Sequence, residues 1–341
     1  MLRKILVVIG ILLLLAIAFV YEALWAPNKF DGDRFVIVSK GDSYAKVAAA
    51  IEKAGIIRSR LLFDAAGRIL DLTTKMQIGK YRFKSGMSNT EVLEDLRYGK
   101  TVEMILVTIP EGFTAVRHAR IFARQLGIDS ARYMSLVNDS AFTRSLGVDA
   151  NNLQGYLMPN TYKMYWQTDE TDIIRDQVEQ LLSMFSDTLR ARADTLGLSI
   201  REVITLASIV EKETAIDSER TLIAGVYYNR LKKKMRLQAD PTVQYIIGGG
   251  PRRLRFSDLH LESDYNTYLH TGLPPGPVSN PGKASILAAV HPAKSKFLFF
   301  VANGFGGHVF SRTFKEHQKA IRQFHKIRAE QQALKQESES R

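Results

Sequence analysis

Between Ile5 and Tyr21 the chain carries no charged side chain, and only the closing tyrosine has a polar one. Such a run is ill suited to the surface of a soluble domain. Extended by Ala23–Trp25 past the single Glu22, it approaches the roughly 20 residues that cross a bilayer as a helix. Arg3 and Lys4 precede it, which leaves residues 1–4 in the cytoplasm and everything after about Pro27 outside. A cleaved signal peptide is the rival reading. No clear small-x-small site follows the run, and Trp25 suits a membrane interface, so an uncleaved single-pass anchor over residues 5–25 is favoured. The expected location is the inner (cytoplasmic) membrane, with the bulk of the chain periplasmic or otherwise extracytoplasmic.

The remaining length is enough for two modest domains. Charged residues make up 24% of the 341 and hydrophobic residues 45%, the balance of an ordinary globular protein. Cysteine is absent, which excludes disulfides, thiolate metal sites and an N-terminal lipoprotein cysteine. A net charge of +12 raises the question of nucleic acid, but an exported chain meets membrane and wall polymers instead. The densest basic clusters, Lys232–Lys234 with Arg236 and Arg252, Arg253 and Arg255, read first as solvated faces. Attraction to an anionic wall polymer or lipid headgroup is the secondary reading.

Residues 26–33, APNKFDGD, read as a short polar linker. A weak repeat follows in FVIVSKGDSYAKVAAAI, YRFKSGMSNTEVLEDL and VTIPEGFTAVRHARIF. Each copy gives a strand-like segment, a glycine (Gly41, Gly86, Gly112), a hydroxyl residue at an N-cap position (Ser43, Ser88, Thr114) and a helical pattern. Apolar residues recur at matching offsets: Ala48 and Ile51, Leu93 and Leu96, Ala119 and Phe122. Ser88 with Glu91 spells a capping box. The first copy, VSKGDSYAKVAAAI, resembles the start of a LysM module, a βααβ unit that binds N-acetylglucosamine polymers. The plain alternative is a common strand–turn–helix unit whose glycine serves only the turn. A second helix is expected over Leu61–Leu72 and a returning strand over Gly79–Phe83. Thr114–Leu196 reads mainly as helices, interrupted by the aromatic QGYLMPNTYKMYW. There Tyr156, Tyr162, Tyr165 and Trp166 either stack on sugar rings or fill a core; core is favoured for most of them. After Gln318 the pattern is helical and charged, and residues 331–341 form a polar tail.

The chemistry concentrates in LASIVEKETAIDSERTLIAGVYYNRLKKKMRLQADPTVQ, Leu206 to Gln244. In a helix over Glu202–Thr214, Glu213 returns to within about 20° of Leu206 and joins the stripe of Val203, Leu206, Ile209 and Val210. A carboxyl group there is desolvated and keeps its proton near neutral pH, as a general acid for a glycosidic oxygen must. Glu211 points roughly 160° away and reads as a structural carboxylate paired with Lys212 or an arginine, or as a secondary carboxylate of the site. Asn229, Gln238, Asp240 and Gln244 are polar groups of the kind that bind sugars. Pro241 after Asp240 is expected to impose an extended or turn geometry. Tyr265, Asn266 and Tyr268 combine stacking rings with an amide; the alternative for Asn266 is that it ties down a loop. GLPPGPVSNPG, with its four prolines, reads as a shaped cleft wall. His291 and His308 lack metal-ligand spacing and read as structural, and no metal or cofactor motif is present.

ASIVEKET (207–214), YYNRL (227–231), MRLQADPTVQY (235–245), YNTYLHTGLPPGPVSNPG (265–282), HPA (291–293) and LFFVANGFGGHVFS (298–311) together resemble the successive motifs of the YceG-like family. The resemblance implies endolytic, lytic cleavage of the β-1,4 bond between N-acetylmuramic acid and N-acetylglucosamine in peptidoglycan, with Glu213 catalytic and no cofactor. The anchor with its short linker is expected to hold this action near the membrane and so to favour nascent glycan strands, with peptidoglycan synthases as candidate partners and no nucleic acid. A hydrolase of the same bond and a non-catalytic wall-binding scaffold stay open as alternatives. The expected fold is α+β, with a single transmembrane helix, a LysM-like βααβ subdomain (34–105) and a larger mixed α/β catalytic domain (106–330).

Overall fold

The apolar run forms one continuous helix, α1 (Leu2–Leu24), in a computed structural model that describes residues 2–250 and 252–339. This helix is long and apolar enough to cross a membrane, and its side chains up to Phe19 are exposed. The chain is a mixture of helices and small sheets, and it divides into two units.

The first unit takes in the chain up to Val107, with Phe122–Ile128 and Tyr162–Asp169. β1 (Arg34–Val38), α2 (Tyr44–Lys53), α3 (Arg60–Ile69) and β2 (Gly79–Phe83) follow in order, and β2 returns antiparallel with Tyr81 opposite Val36. α4 (Asn89–Tyr98) and the short β3 (Val102–Glu103), paired to β2, extend this βααβ frame. Gly41 and Gly86 hold φ of 83° and 96°, which a side chain would resist. Ser43 caps α2, and Ser88 with Glu91 forms the capping box of α4. Ala48, Ile51, Leu93 and Leu96 pack with Phe63, Tyr81 and Phe83 in one core.

Residues 26–33, polar enough to read as a linker, are instead docked from their first residues. Ala26 and Asn28 are buried. Asn28 acts as a hub: its Nδ2 donates to Met87 O and Asn89 Oδ1, its Oδ1 accepts from Arg58 N, and its carbonyl accepts from Gly86 N. Asn89 Nδ2 and Thr90 Oγ1 donate to the Ala23 and Leu24 carbonyls, capping the end of α1. A polar sequence here marks satisfied backbone, not solvent. The apolar helix therefore runs directly into the first unit.

Downstream come β4 (Ile105–Thr108), α5 (Ala115–Leu126), α6 (Ser130–Val137), α7 (Ser140–Ser145), β5 (Thr161–Met164), α8 (Glu170–Ser183) and α9 (Asp187–Leu196). Ala119 and Phe122 of α5 are buried as their offsets predict. The second unit is built on α10 (Ile200–Glu213), α11 (Asp217–Lys232), α12 (Asp240–Ile247) and α13 (Lys283–Val290), with a β6 (Phe299–Ala302)–β7 (His308–Ser311) hairpin and the long α14 (Phe314–Glu339). α10 begins at a Ser199–Glu202 capping box and is buried from Val203 to Val210. α13 packs on both α10 and α11. Gly225 lets α11 approach the HPA segment, since a Cβ there would lie 2.6 Å from the Ala293 carbonyl oxygen. The expected polar tail continues as helix to Glu339; Ser340 and Arg341 lie outside the described residues, as does Met1 of the short N-terminal segment.

Asn28→Ala removes one hub of three side-chain bonds and leaves the Arg58 amide without its acceptor. The expected cost is about 1–3 kcal/mol, read as faster hydrogen exchange at the amides of Asn28, Arg58 and Gly86.

Candidate active site

Glu213 is the last residue of α10, followed by an extended, buried Thr214. Its Oε1 accepts a 2.5 Å hydrogen bond from the Tyr227 hydroxyl of α11. Tyr227 is itself buried, and its ring meets Phe300 edge-on at 5.8 Å. Arg230, three residues on and so on the same face of α11, is buried too. Its Nε donates to Leu298 O and its Nη1 to Leu237 O, both at 2.7 Å, which fixes the guanidinium against β6. Burial pushes the Glu213 carboxyl up to about 7; the Tyr227 bond pulls it down, Asp240 pushes it further up and Arg230 opposes. Burial, then the neighbouring Glu213, pushes the Tyr227 hydroxyl well above its usual range, so it remains a donor.

Asp240 begins α12 and accepts a 2.5 Å bond from Tyr268. Burial and then this bond raise the Tyr268 hydroxyl. The structure thus gathers Glu213, Tyr227, Arg230, Asp240 and Tyr268 into one cluster. Pro241 sits in the first turn of α12, correcting the expected loop: a proline there loses no hydrogen bond and its fixed φ suits a helix start. Gln238 just before it is exposed with φ 47°, and its N–H bonds Thr267 O.

The other candidate residues make bonds of their own. Asn229 Nδ2 donates to Ser295 O and Phe297 O and so fastens the chain entering β6. Asn266 is fully buried: its Nδ2 donates to Leu259 O and Leu261 O, and its Oδ1 accepts from Tyr268 N. Both amides bond backbone carbonyls through their Nδ2 groups, a geometry of loop-fastening. Gln244 is engaged at both ends of its amide by the Arg252 backbone. Tyr265 packs against Tyr245 in a tilted pair, 5.0 Å between centroids.

Glu211 pairs with Arg220 at 3.2 Å, both side chains being less than a tenth exposed, and accepts from Gly282 N at 3.0 Å. Arg220 also donates to Ser285 Oγ and Asp217. In the GLPPGPVSNPG segment, Asn280 Oδ1 accepts from Gly155 N and Leu157 N while its Nδ2 donates to Phe113 O, and Val278 N donates to Ser208 Oγ of α10. His308 N and Nδ1 bond the Glu219 carboxylate, which holds β7 to α11. Among the described residues no cluster of three His, Asp or Glu side chains has the geometry to hold a metal ion.

Tyr227 and Arg230 were not singled out in the sequence, although they lie in YYNRL beside Asn229. Their i, i+3 spacing on a helix that follows the candidate acid was the available signal.

A carboxyl poised near neutrality, hydrogen-bonded by one tyrosine and near both a fixed arginine and a second carboxylate already bonded by Tyr268, is equipped for acid–base chemistry. The family model for the YceG-like family matches residues 36–323, and the chain belongs to that family. It is 32% identical over 321 residues to a Bacillus subtilis protein named endolytic murein transglycosylase, with 89% of each chain covered. A Streptococcus pneumoniae protein of the same name is 29% identical over 319 residues, which cover 83% of this chain and 57% of that longer relative. A crystal structure of a yceG-like protein from Listeria monocytogenes matches with a TM-score of 0.61 at 30% identity, covering 84% of this chain and 98% of that one.

A carboxyl raised from 4.5 to about 7 contributes stability below its unfolded value, and that contribution is lost as pH rises through the folded one. Glu213→Gln, which keeps an acceptor for Tyr227, should therefore melt higher than wild type at pH 8 and nearly equal to it at pH 4. By contrast, Glu211→Gln leaves the buried Arg220 with the exposed Asp217 as its remaining carboxylate partner and should lose about 1–3 kcal/mol on chemical denaturation.

Proposed function

We propose that the protein is a lytic transglycosylase that cleaves the β-1,4 bond between N-acetylmuramic acid and N-acetylglucosamine within peptidoglycan strands. The observation that carries this reading is the Glu213 carboxyl, half-buried and raised to about 7 in a chain 32% identical to a protein named endolytic murein transglycosylase. Protonated Glu213 gives its proton to the glycosidic oxygen as the bond from muramic acid C1 breaks. The resulting carboxylate takes the proton of the muramic acid C6 hydroxyl, whose oxygen bonds C1 and closes a 1,6-anhydro ring. The nucleophile is carried by the substrate, so no positioned water and no second catalytic carboxylate is required. Arg230 stabilises the carboxylate between the two transfers, and Tyr227 orients it.

Asp240, Tyr268 and the exposed Gln238 line the approach to Glu213 and bind hydroxyl and N-acetyl groups. Asn229, Gln244 and Asn266 act one step back, by fixing the loops that carry them. Glu211 is a structural carboxylate. The βααβ frame of the first unit holds glycan in LysM fashion. α1 is a single-pass anchor in the cytoplasmic membrane with the catalytic unit outside, and its direct entry into a folded unit favours cutting of nascent strands close to the bilayer, where the enzyme ends glycan elongation beside the synthases.

Digestion of purified peptidoglycan by the detergent-solubilised full chain, followed by mass spectrometry, tests the chemistry. The expected products carry anhydro-muramic ends and disappear in Glu213→Gln. Reducing muramic ends would mean hydrolysis, and binding without products would mean a scaffold. Because the acid must be protonated, kcat/KM should fall as pH rises through about 7. Tyr227→Phe removes a bond that lowers the Glu213 carboxyl, so this alkaline limb should move to higher pH.

A further inference from the structure

At the opposite end of α10 from Glu213 lies a cavity of about 320 Å³ that the reaction above does not use. Its lining includes Gln154, Tyr156, Arg201 and Tyr265. Arg201 is in the first turn of α10 and Glu213 is its last residue, so the rise of the helix separates them by about 18 Å. The cavity is thus a second place in the same unit, not part of the cluster around the acid.

Its chemistry is one-sided. Gln154 is only 8% exposed; its Oε1 accepts from Ala115 N at 3.0 Å, and its Nε2 has no partner. The amide cannot be turned round, because the Ala115 N–H needs that acceptor. A buried amide N–H left unpaired costs free energy that a bound acceptor would recover. Arg201 spends one N–H on Pro275 O at 2.6 Å and keeps the rest of its fork available. It lies within electrostatic reach of both the Tyr156 and the Tyr265 hydroxyls. Asn152 uses its Oδ1 on Gln154 N, which leaves its NH2 group as a further donor. Against these donors stands one lining carboxylate, Asp264, which is exposed.

A planar, charged fork beside amide and hydroxyl donors matches a carboxylate, and two tyrosine rings give the group that bears it an apolar rest. The exposed Asp264 suits a cation further along the same ligand. We propose that this cavity is a peptide subsite that takes a free carboxylate of the stem peptide carried by peptidoglycan, about 18 Å from the point of cleavage. The inference rests on the reading of the substrate as peptidoglycan. It makes substrate choice depend on the peptide as well as on the glycan.

The test is calorimetric titration of the full-length chain in detergent micelles with three probes: a stem peptide released from peptidoglycan by an amidase, the same peptide with its carboxylates amidated, and chitotetraose. The free-acid peptide should bind, and Arg201→Gln should weaken it by about tenfold or more, as expected for a lost charge-assisted bond. Gln154→Leu should weaken it in the same direction and serves if Arg201→Gln fails to fold. The amidated peptide should bind weakly, and chitotetraose should be indifferent to both substitutions. No binding of the free-acid peptide, equal binding of the amidated form, or unchanged affinity in both variants would overturn the proposal. Competition by acetate as effective as the peptide would also overturn it, leaving only a simple anion site. Glu213→Gln should bind the peptide as wild type does, so failure of the subsite and failure of the catalytic reading give different results.

Discussion

The placement of one carboxyl group at the end of α10 organises the second unit. Glu213 closes a helix buried along most of its length, and the Tyr227 hydroxyl meets its carboxyl at 2.5 Å. Burial supplies the largest push on its proton affinity, and Tyr227 and Arg230 temper that push from the next helix. If α10 slipped or rotated, the acid would reach water and titrate as an ordinary glutamate. Much of the surrounding bonding resists such movement: Ser208 to the 278–279 backbone and hydroxyl, Glu211 to Arg220 and Gly282, and Asn280 to three backbone groups outside its own loop.

The division of labour between the two glutamates follows from helical geometry. Two positions apart, they diverge by roughly 160° and enter different environments. Glu211 meets the Arg220 guanidinium and the Gly282 backbone N–H and becomes a fastening. Glu213 meets a tyrosine at a desolvated helix end and becomes able to exchange a proton near neutral pH.

Local pattern made much of this legible. Apolar offsets found the buried Ala48, Ile51, Leu93, Leu96, Ala119 and Phe122, and the glycine–serine pairs found the turns and caps of α2 and α4. Helical phase separated Glu213 from Glu211. What remained hidden depends on contacts between segments distant in sequence. The docking of Asn28 on Met87 and Asn89 cannot be read from a polar octapeptide, because satisfied and solvated polar groups have the same composition. Asn229, Asn266 and Gln244 look like sugar ligands for the same reason: an amide suits a loop carbonyl as well as an N-acetyl group. A proline both biases the residue before it away from helix and favours the first helical turn, and at Pro241 the second preference governs. Tyr227 was visible only as a residue within a motif; its role appears once α11 is laid against the end of α10.

The central claim is that the Glu213 carboxyl holds its proton near neutral pH before any substrate binds. Carbon-13 NMR of protein labelled at the glutamate side-chain carboxyl carbons measures this directly, with Glu213→Gln identifying the signal by its absence. The account predicts one glutamate titrating near 7 that vanishes in the variant. A Glu213 signal titrating near 4.5 would contradict it.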